Sequence, residues 1–143
     1  MIIWLASYPK SGNTWLRALL ATYFFSKNGN FAFNLLNKID QFPSVKYFKD
    51  DKELYSEVES TAKHWITKQN IINSDKKIKF FKTHNAMCKI AGNSFTNKQN
   101  TLGAIYIIRD PRNIVTSLAN HYQINTKEAL QFMEDRKKAI YEI

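Results

Sequence analysis

Three short polar clusters each follow an apolar run: Ser7-Tyr8-Pro9-Lys10-Ser11-Gly12-Asn13-Thr14, then Lys82-Thr83-His84, then Arg109-Asp110-Pro111-Arg112-Asn113. Their residue types suit one task, which is to hold an anion and move a proton beside it. In the first cluster Gly12 can adopt a tight backbone conformation, so that successive N–H groups converge on an oxyanion and the positive end of a following helix points at it. Ser11 and Thr14 add hydroxyl donors, and Lys10 adds a charge. In the second cluster His84 supplies an imidazole, a group whose unperturbed pKa of about 6.5 lets it accept a proton near neutrality. Arg109 brings a further cation.

The first cluster departs from the triphosphate-binding loop G-x-x-x-x-G-K-[ST] in an informative way. With Gly12 aligned to the second glycine, Ser7 stands at the first glycine, Asn13 at the lysine and Thr14 at the hydroxyl position. The lysine sits inside the loop instead, at Lys10, where it reaches outward past the first anionic group toward whatever is attached to it. No strand ends in an acidic residue suited to Mg²⁺. Asp110 is the one carboxylate at these tips, and Pro111 directly after it makes Asp110 a helix N-cap. The loop therefore fits a phosphate held without the magnesium and γ-phosphate arrangement.

The elements that must position these clusters can be read from periodicity. Residues 2–6, IIWLA, read as a strand buried on both faces. Leu16, Leu19, Leu20 and Tyr23 mark one helical face. Residues 26–49, with Gly29 and Pro43, read as a long variable connection. Leu54, Val58, Ala62, Trp65 and Ile66 predict a helix capped by Asp50 or Asp51. Residues 77–84 predict a second strand, residues 85–101 are Asn-rich and weakly patterned, and residues 102–110 predict a third strand. Ile114, Val115, Leu118, Ala119 and Tyr122 form the stripe of the next helix. Thr126 is the expected cap of a last amphipathic segment bearing Leu130, Met133 and Ile140. Strands alternating with helices predict one α/β domain over residues 1–143, with a parallel sheet flanked by helices and right-handed crossovers. Ligands of such sheets bind beyond the carboxyl ends of the strands, which would bring all three clusters to one edge.

Bulk properties narrow the partners. Lys+Arg 21 against Asp+Glu 12 gives a net charge of +9, which favours anionic ligands: nucleotides, nucleic acid or acidic surfaces. Cys88 is the single cysteine, so no internal disulfide forms, and a buried or incidental thiol in a reducing compartment is expected. No run approaches the roughly 18 apolar residues of a membrane span. The apolar N-terminal run lacks a charged leader and stops by Ala6, so a cytoplasmic protein is expected. His64 and His121 fall on predicted helices and read as structural or surface residues.

Residues 4–17, WLASYPKSGNTWLR, closely resemble the 5′-phosphosulfate-binding loop of the sulfotransferases that use 3′-phosphoadenosine 5′-phosphosulfate. Residues 105–118, IYIIRDPRNIVTSL, resemble that family's 3′-phosphate-binding segment, and residues 80–84, FFKTH, its strand-end lysine and histidine. The resemblance implies a P-loop-like α/β fold, a nucleotide donor and the transfer of a sulfuryl group to an alcohol or amine. By position it makes Lys10 the lysine on the 5′-phosphosulfate and its leaving group. Ser11, Gly12, Asn13 and Thr14 would cradle the 5′-phosphate, with Trp15 against the adenine. Arg109 and Ser117 would hold the 3′-phosphate, His84 would be the general base, and Lys82 would stand beside the transferring group. Asn13 replaces a threonine common in animal members, and Asn113 stands where an aspartate is common.

A sulfuryl group carries less charge than a terminal phosphate. Lysines could therefore serve without a divalent metal, given in-line geometry and cations at the leaving oxygen. Bacterial-type members resemble this chain over their N-terminal half and continue to a glycine- and lysine-rich loop. No glycine follows Gly103 here, which reads as a truncated protein, a fragment, or a minimal variant that assembles its site differently. A catalytically incomplete binder of the donor and a basic nucleic-acid-binding domain stay open beside the enzyme. So does a homo-oligomer that covers the faces of a thin sheet.

Overall fold

The computed structural model describes residues 1–48 and 58–135. Its centre is a parallel four-stranded sheet. Strand β1 spans Ile2–Ser7, β2 Asp40–Gln41, β3 Lys79–Thr83 and β6 Thr101–Ile107, in the spatial order β2-β3-β1-β6. A two-residue hairpin, β4 (Lys89–Ile90) with β5 (Asn93–Ser94), stands apart from it. The helices are α1 (Asn13–Phe25), α2 (Val58–Ala62), α3 (Trp65–Ile72), α4 (Pro111–Tyr122) and α5 (Thr126–Glu134). The architecture is the P-loop-like three-layer α/β fold expected from the sequence.

β1 is apolar from Ile2 to Ala6, in keeping with its pairing on both edges and cover on both faces. Leu5 lies opposite Lys82 on β3 and Ile105 on β6. Ile2, Trp4 and Phe81 face one layer, where they pack with Phe42, Phe48, Ala62, Trp65, Ile72 and Phe95. Leu5 faces the other layer, with Ala21 and Ile39 and the partly buried Leu16, Leu20, Leu35 and Phe80. A third cluster, Ile114, Leu118 and Ala129, belongs to the α4–α5 pair itself.

Several expectations need correction. The connection over residues 26–49 is structured in its second half: β2 pairs with β3, and Ile39, Phe42 and Phe48 are fully buried. Arg17 fastens this segment to α1 by donating to the carbonyls of Ile39 (2.6 Å) and Leu36 (2.7 Å). The stripe on α1 is only half used, since Leu16 and Leu20 pack inward while Leu19 and Tyr23 are exposed. The single helix predicted through Val58, Ala62 and Trp65 is two helices separated at Lys63–His64. Leu54 and the candidate caps Asp50 and Asp51 lie outside the described residues, as does Ile140. The cap of α5 is Asn125 rather than Thr126. Asn125 accepts from the N–H of Glu128, whose carboxylate in turn accepts from the N–H of Asn125. Ala129, not Leu130, is the buried residue of that helix. Cys88 is exposed, not buried.

The weakly patterned stretch 85–101 carries a buried polar chain. Thr96 donates to Gln69 Oε1 (2.6 Å), Gln69 donates to the Phe95 carbonyl (2.6 Å), and Thr101 Oγ1 lies 2.7 Å from Thr96 Oγ1. The indole of Trp4 donates to the same Thr101 hydroxyl at 2.9 Å. Buried polar groups are tolerated where they satisfy one another in this way. No described helix is long and apolar enough to cross a membrane.

Candidate active site

The end of β1, the start of α1, the end of β3 and the β6–α4 junction open onto one cleft of about 800 Å³. Lys10, Gly12, Asn13, Thr14, Trp15, Lys82, His84, Arg109 and Ser117 all contribute to its lining. Ser11 stands behind it, buried, with its hydroxyl lacking a hydrogen-bond partner among the described residues.

The loop between β1 and α1 is shaped by two left-handed residues, Lys10 (φ 65°) and Gly12 (φ 98°). Gly12 takes this conformation at no steric cost, whereas Lys10 holds it against its preference. α1 follows its N-cap Gly12 without a side-chain cap, so the N–H groups of its first turn remain the positive end of the helix. Asn13 is turned back into the protein and secures the loop from below. Its Nδ2 donates to the Leu5 carbonyl (2.7 Å) and to Ser7 Oγ (3.1 Å). Any contact of Asn13 with an anion would therefore come from its backbone. Thr14 is exposed, and Trp15 is 72% exposed at the cleft wall.

His84 follows β3 directly, and its Nδ1 lies 2.9 Å from the Ser7 carbonyl and 3.2 Å from Ser7 Oγ. A carbonyl oxygen only accepts, so Nδ1 carries the proton and the lone pair of the neutral ring resides on Nε2. β1 thus sets the tautomer of a residue on β3. Lys82 lies opposite Leu5 in the sheet and is only 8% exposed, yet it reaches the cleft.

Arg109 stands just past β6, exposed, and its Nη1 donates to the carbonyl of Lys10 at 2.9 Å. Asp110 is the cap of α4, as predicted: it accepts from the N–H of Arg112 (2.9 Å) and pairs with the Arg112 guanidinium. The Arg112 side chain, then its backbone N–H, hold the Asp110 carboxyl below the usual carboxylate range. Ser117 and Thr116 differ in a useful way. Thr116 bonds back to the Asn113 carbonyl at 3.1 Å, while the Ser117 hydroxyl has no such bond among the described residues.

Among the lining residues that were not predicted as site residues are Phe31, Phe33, His121 and Tyr122. His121, expected to be structural or surface, lines the cleft. A signal for it existed, because it lies four residues after Ser117 and so on the same face of α4. Phe31 and Phe33 come from a segment without period and gave none. His64 precedes α3 and does not line the cleft.

The donor set is one-sided. Lys10, Lys82 and Arg109 line the cleft with two histidines, and among the described residues no carboxylate lines it. A cradle of this composition, with an uncapped helix start and an aromatic wall, fits a polyanion carrying a flat ring, and its volume lies within the range of small-ligand sites. Among the described residues no group of three or more His, Cys, Asp or Glu stands together to hold a metal ion.

No curated protein and no solved structure gives a significant match to the chain. The model of the sulfotransferase domain, in contrast, matches residues 2–142, a span that contains the loop, both strand ends and the helices that frame the cleft. The chain belongs to the sulfotransferase domain family.

Proposed function

We propose that the chain binds 3′-phosphoadenosine 5′-phosphosulfate in this cleft and passes its sulfuryl group to a hydroxyl or amine acceptor. The convergence of Lys10, His84 and Arg109 on one cleft, with no carboxylate among its described lining residues, supports this reading. In it, the first-turn N–H groups of α1 and the Lys10 ammonium hold the 5′ end of the donor. Arg109 and Ser117 hold the 3′-phosphate, and Trp15 lies against the adenine. The acceptor oxygen or nitrogen forms a bond to sulfur as His84 Nε2 takes its proton. The bond between sulfur and the bridging oxygen breaks, and its electron pair stays on the 5′-phosphate, where Lys10 offsets the growing charge. Lys82 stands beside the transferring group. The products are a sulfated acceptor and adenosine 3′,5′-bisphosphate. No metal takes part in this reading, and the lone exposed Cys88 suits a cytoplasmic setting.

Titration with adenosine 3′,5′-bisphosphate tests the donor half. Selective binding that is lost in Lys10→Ala supports it, and equal affinity for any polyanion, falling steeply with salt, points to nucleic acid instead. Sulfate transfer to a panel of alcohols and amines tests the chemistry. His84→Ala is expected to lower transfer by about 10²–10⁴-fold while nucleotide affinity stays within about twofold of the unaltered protein. Nucleotide binding without any transfer would leave a donor-binding protein, not an enzyme.

A further inference from the structure

We infer that Arg109 is a positioning residue for the anion-binding loop and thereby couples the two ends of the donor site. The inference rests on the donor reading above only for the identity of the ligand. Lys10 is the non-glycine loop residue held in the left-handed region, at φ 65°, and side chains with a Cβ stay there only where surrounding contacts enforce it. The Arg109 guanidinium supplies such a contact across 99 residues of sequence, with Nη1 2.9 Å from the Lys10 carbonyl. That bond fixes the Lys10–Ser11 peptide plane, and with it the N–H groups leading into Gly12.

A guanidinium has five N–H donors. Among the described residues the Lys10 carbonyl is the one partner of Arg109, so donors remain for an oxyanion in the cleft that Arg109 also lines. One side chain thus meets the ligand at the β6–α4 junction and holds the loop that meets it at the β1–α1 junction. Occupying the first place steadies Arg109 and so steadies the second. Contacts at the two ends of the donor are then cooperative, and Arg109 matters even to a ligand that never touches it.

Two measurements on the full chain decide this. Amide hydrogen exchange of the ligand-free protein should show residues 10–14 exchanging several-fold faster in Arg109→Met, with strands β1 and β3 unchanged. Adenosine 5′-monophosphate, which lacks the 3′-phosphate, should bind roughly five- to tenfold more weakly to Arg109→Met, the effect of one lost hydrogen bond. It should bind Arg112→Met within about twofold of the unaltered protein, because that guanidinium pairs with Asp110 and does not line the cleft. Unchanged exchange over residues 10–14, or unchanged affinity for the monophosphate in Arg109→Met, overturns the inference. If the unaltered protein binds neither adenosine nucleotide, the donor reading fails, and exchange in the ligand-free chain still decides the loop contact.

Discussion

β1 and β6 are neighbouring parallel strands of similar apolar character, yet they live in different surroundings. In β1, Ile2, Trp4, Leu5 and Ser7 are buried, because both edges are paired and both faces covered. β6 is an edge strand whose Leu102, Ile105 and Tyr106 are exposed. Its register slips between the residues facing Ile2 and Ile3, where Thr101 and Gly103 bracket Leu102. β1 holds the sheet together and β6 carries an arm of the cleft out to Arg109. An apolar strand sequence reports the capacity to pair; burial is decided by what stands beside the strand.

The contrast predicts a steep gradient of mutational cost. Leu5→Ala should destabilise by about 2–5 kcal/mol in urea unfolding, since a fully buried side chain leaves a cavity between β1 and α1. Asn13→Ala should follow at about 1–3 kcal/mol, because the Leu5 carbonyl and Ser7 hydroxyl lose their donor. The same variant should weaken nucleotide binding, since the loop then rests on less. Ile105→Ala on β6 should cost under about 1 kcal/mol, the range of a half-exposed site. If Ile105→Ala proves as costly as Leu5→Ala, β6 is buried in solution by another surface and the contrast between the strands fails.

The smallest effect appears only at alkaline pH. Burial pushes the Tyr47 phenol up to about 12, and its hydroxyl donates to Asp40 Oδ2 at 2.8 Å. The fold thus favours the neutral phenol, whose ordinary value is 10.0. The contribution is complete below that value and is lost as the pH climbs toward about 12, so unfolding midpoints should decline across this window. Tyr47→Phe should flatten the decline, and an unchanged pH profile would show that the phenol is ionised equally well in both states.

What the sequence made legible follows the same divide between local and tertiary causes. The loop, the strand-end Lys82 and His84, and the Asp110–Pro111 helix start were readable because their signals are local: a glycine, a proline, a cap, an apolar run of the right length. β2 was not readable, since two residues become a strand only by pairing with β3. The buried chain from Gln69 to Trp4 was hidden because hydroxyls and amides read as solvent-facing until they are seen to bond one another. The cap of α5 could have been found, since Asn125 and Glu128 have the spacing of a reciprocal capping pair. The inward turn of Asn13 could not, because it depends on the Leu5 carbonyl lying within reach.

A cleft whose described lining includes Lys10, Lys82 and Arg109 and no carboxylate also bears on the speed of encounter. Same-sign walls with a low-dielectric backing focus field lines outward, gathering counter-ions from solution before any specific contact forms. In the proposed reaction both the incoming nucleotide and the spent one would be captured quickly, and arrival rates would drop as ionic strength screens the field. Turnover in that proposed reaction would then be paced by how readily the spent nucleotide escapes.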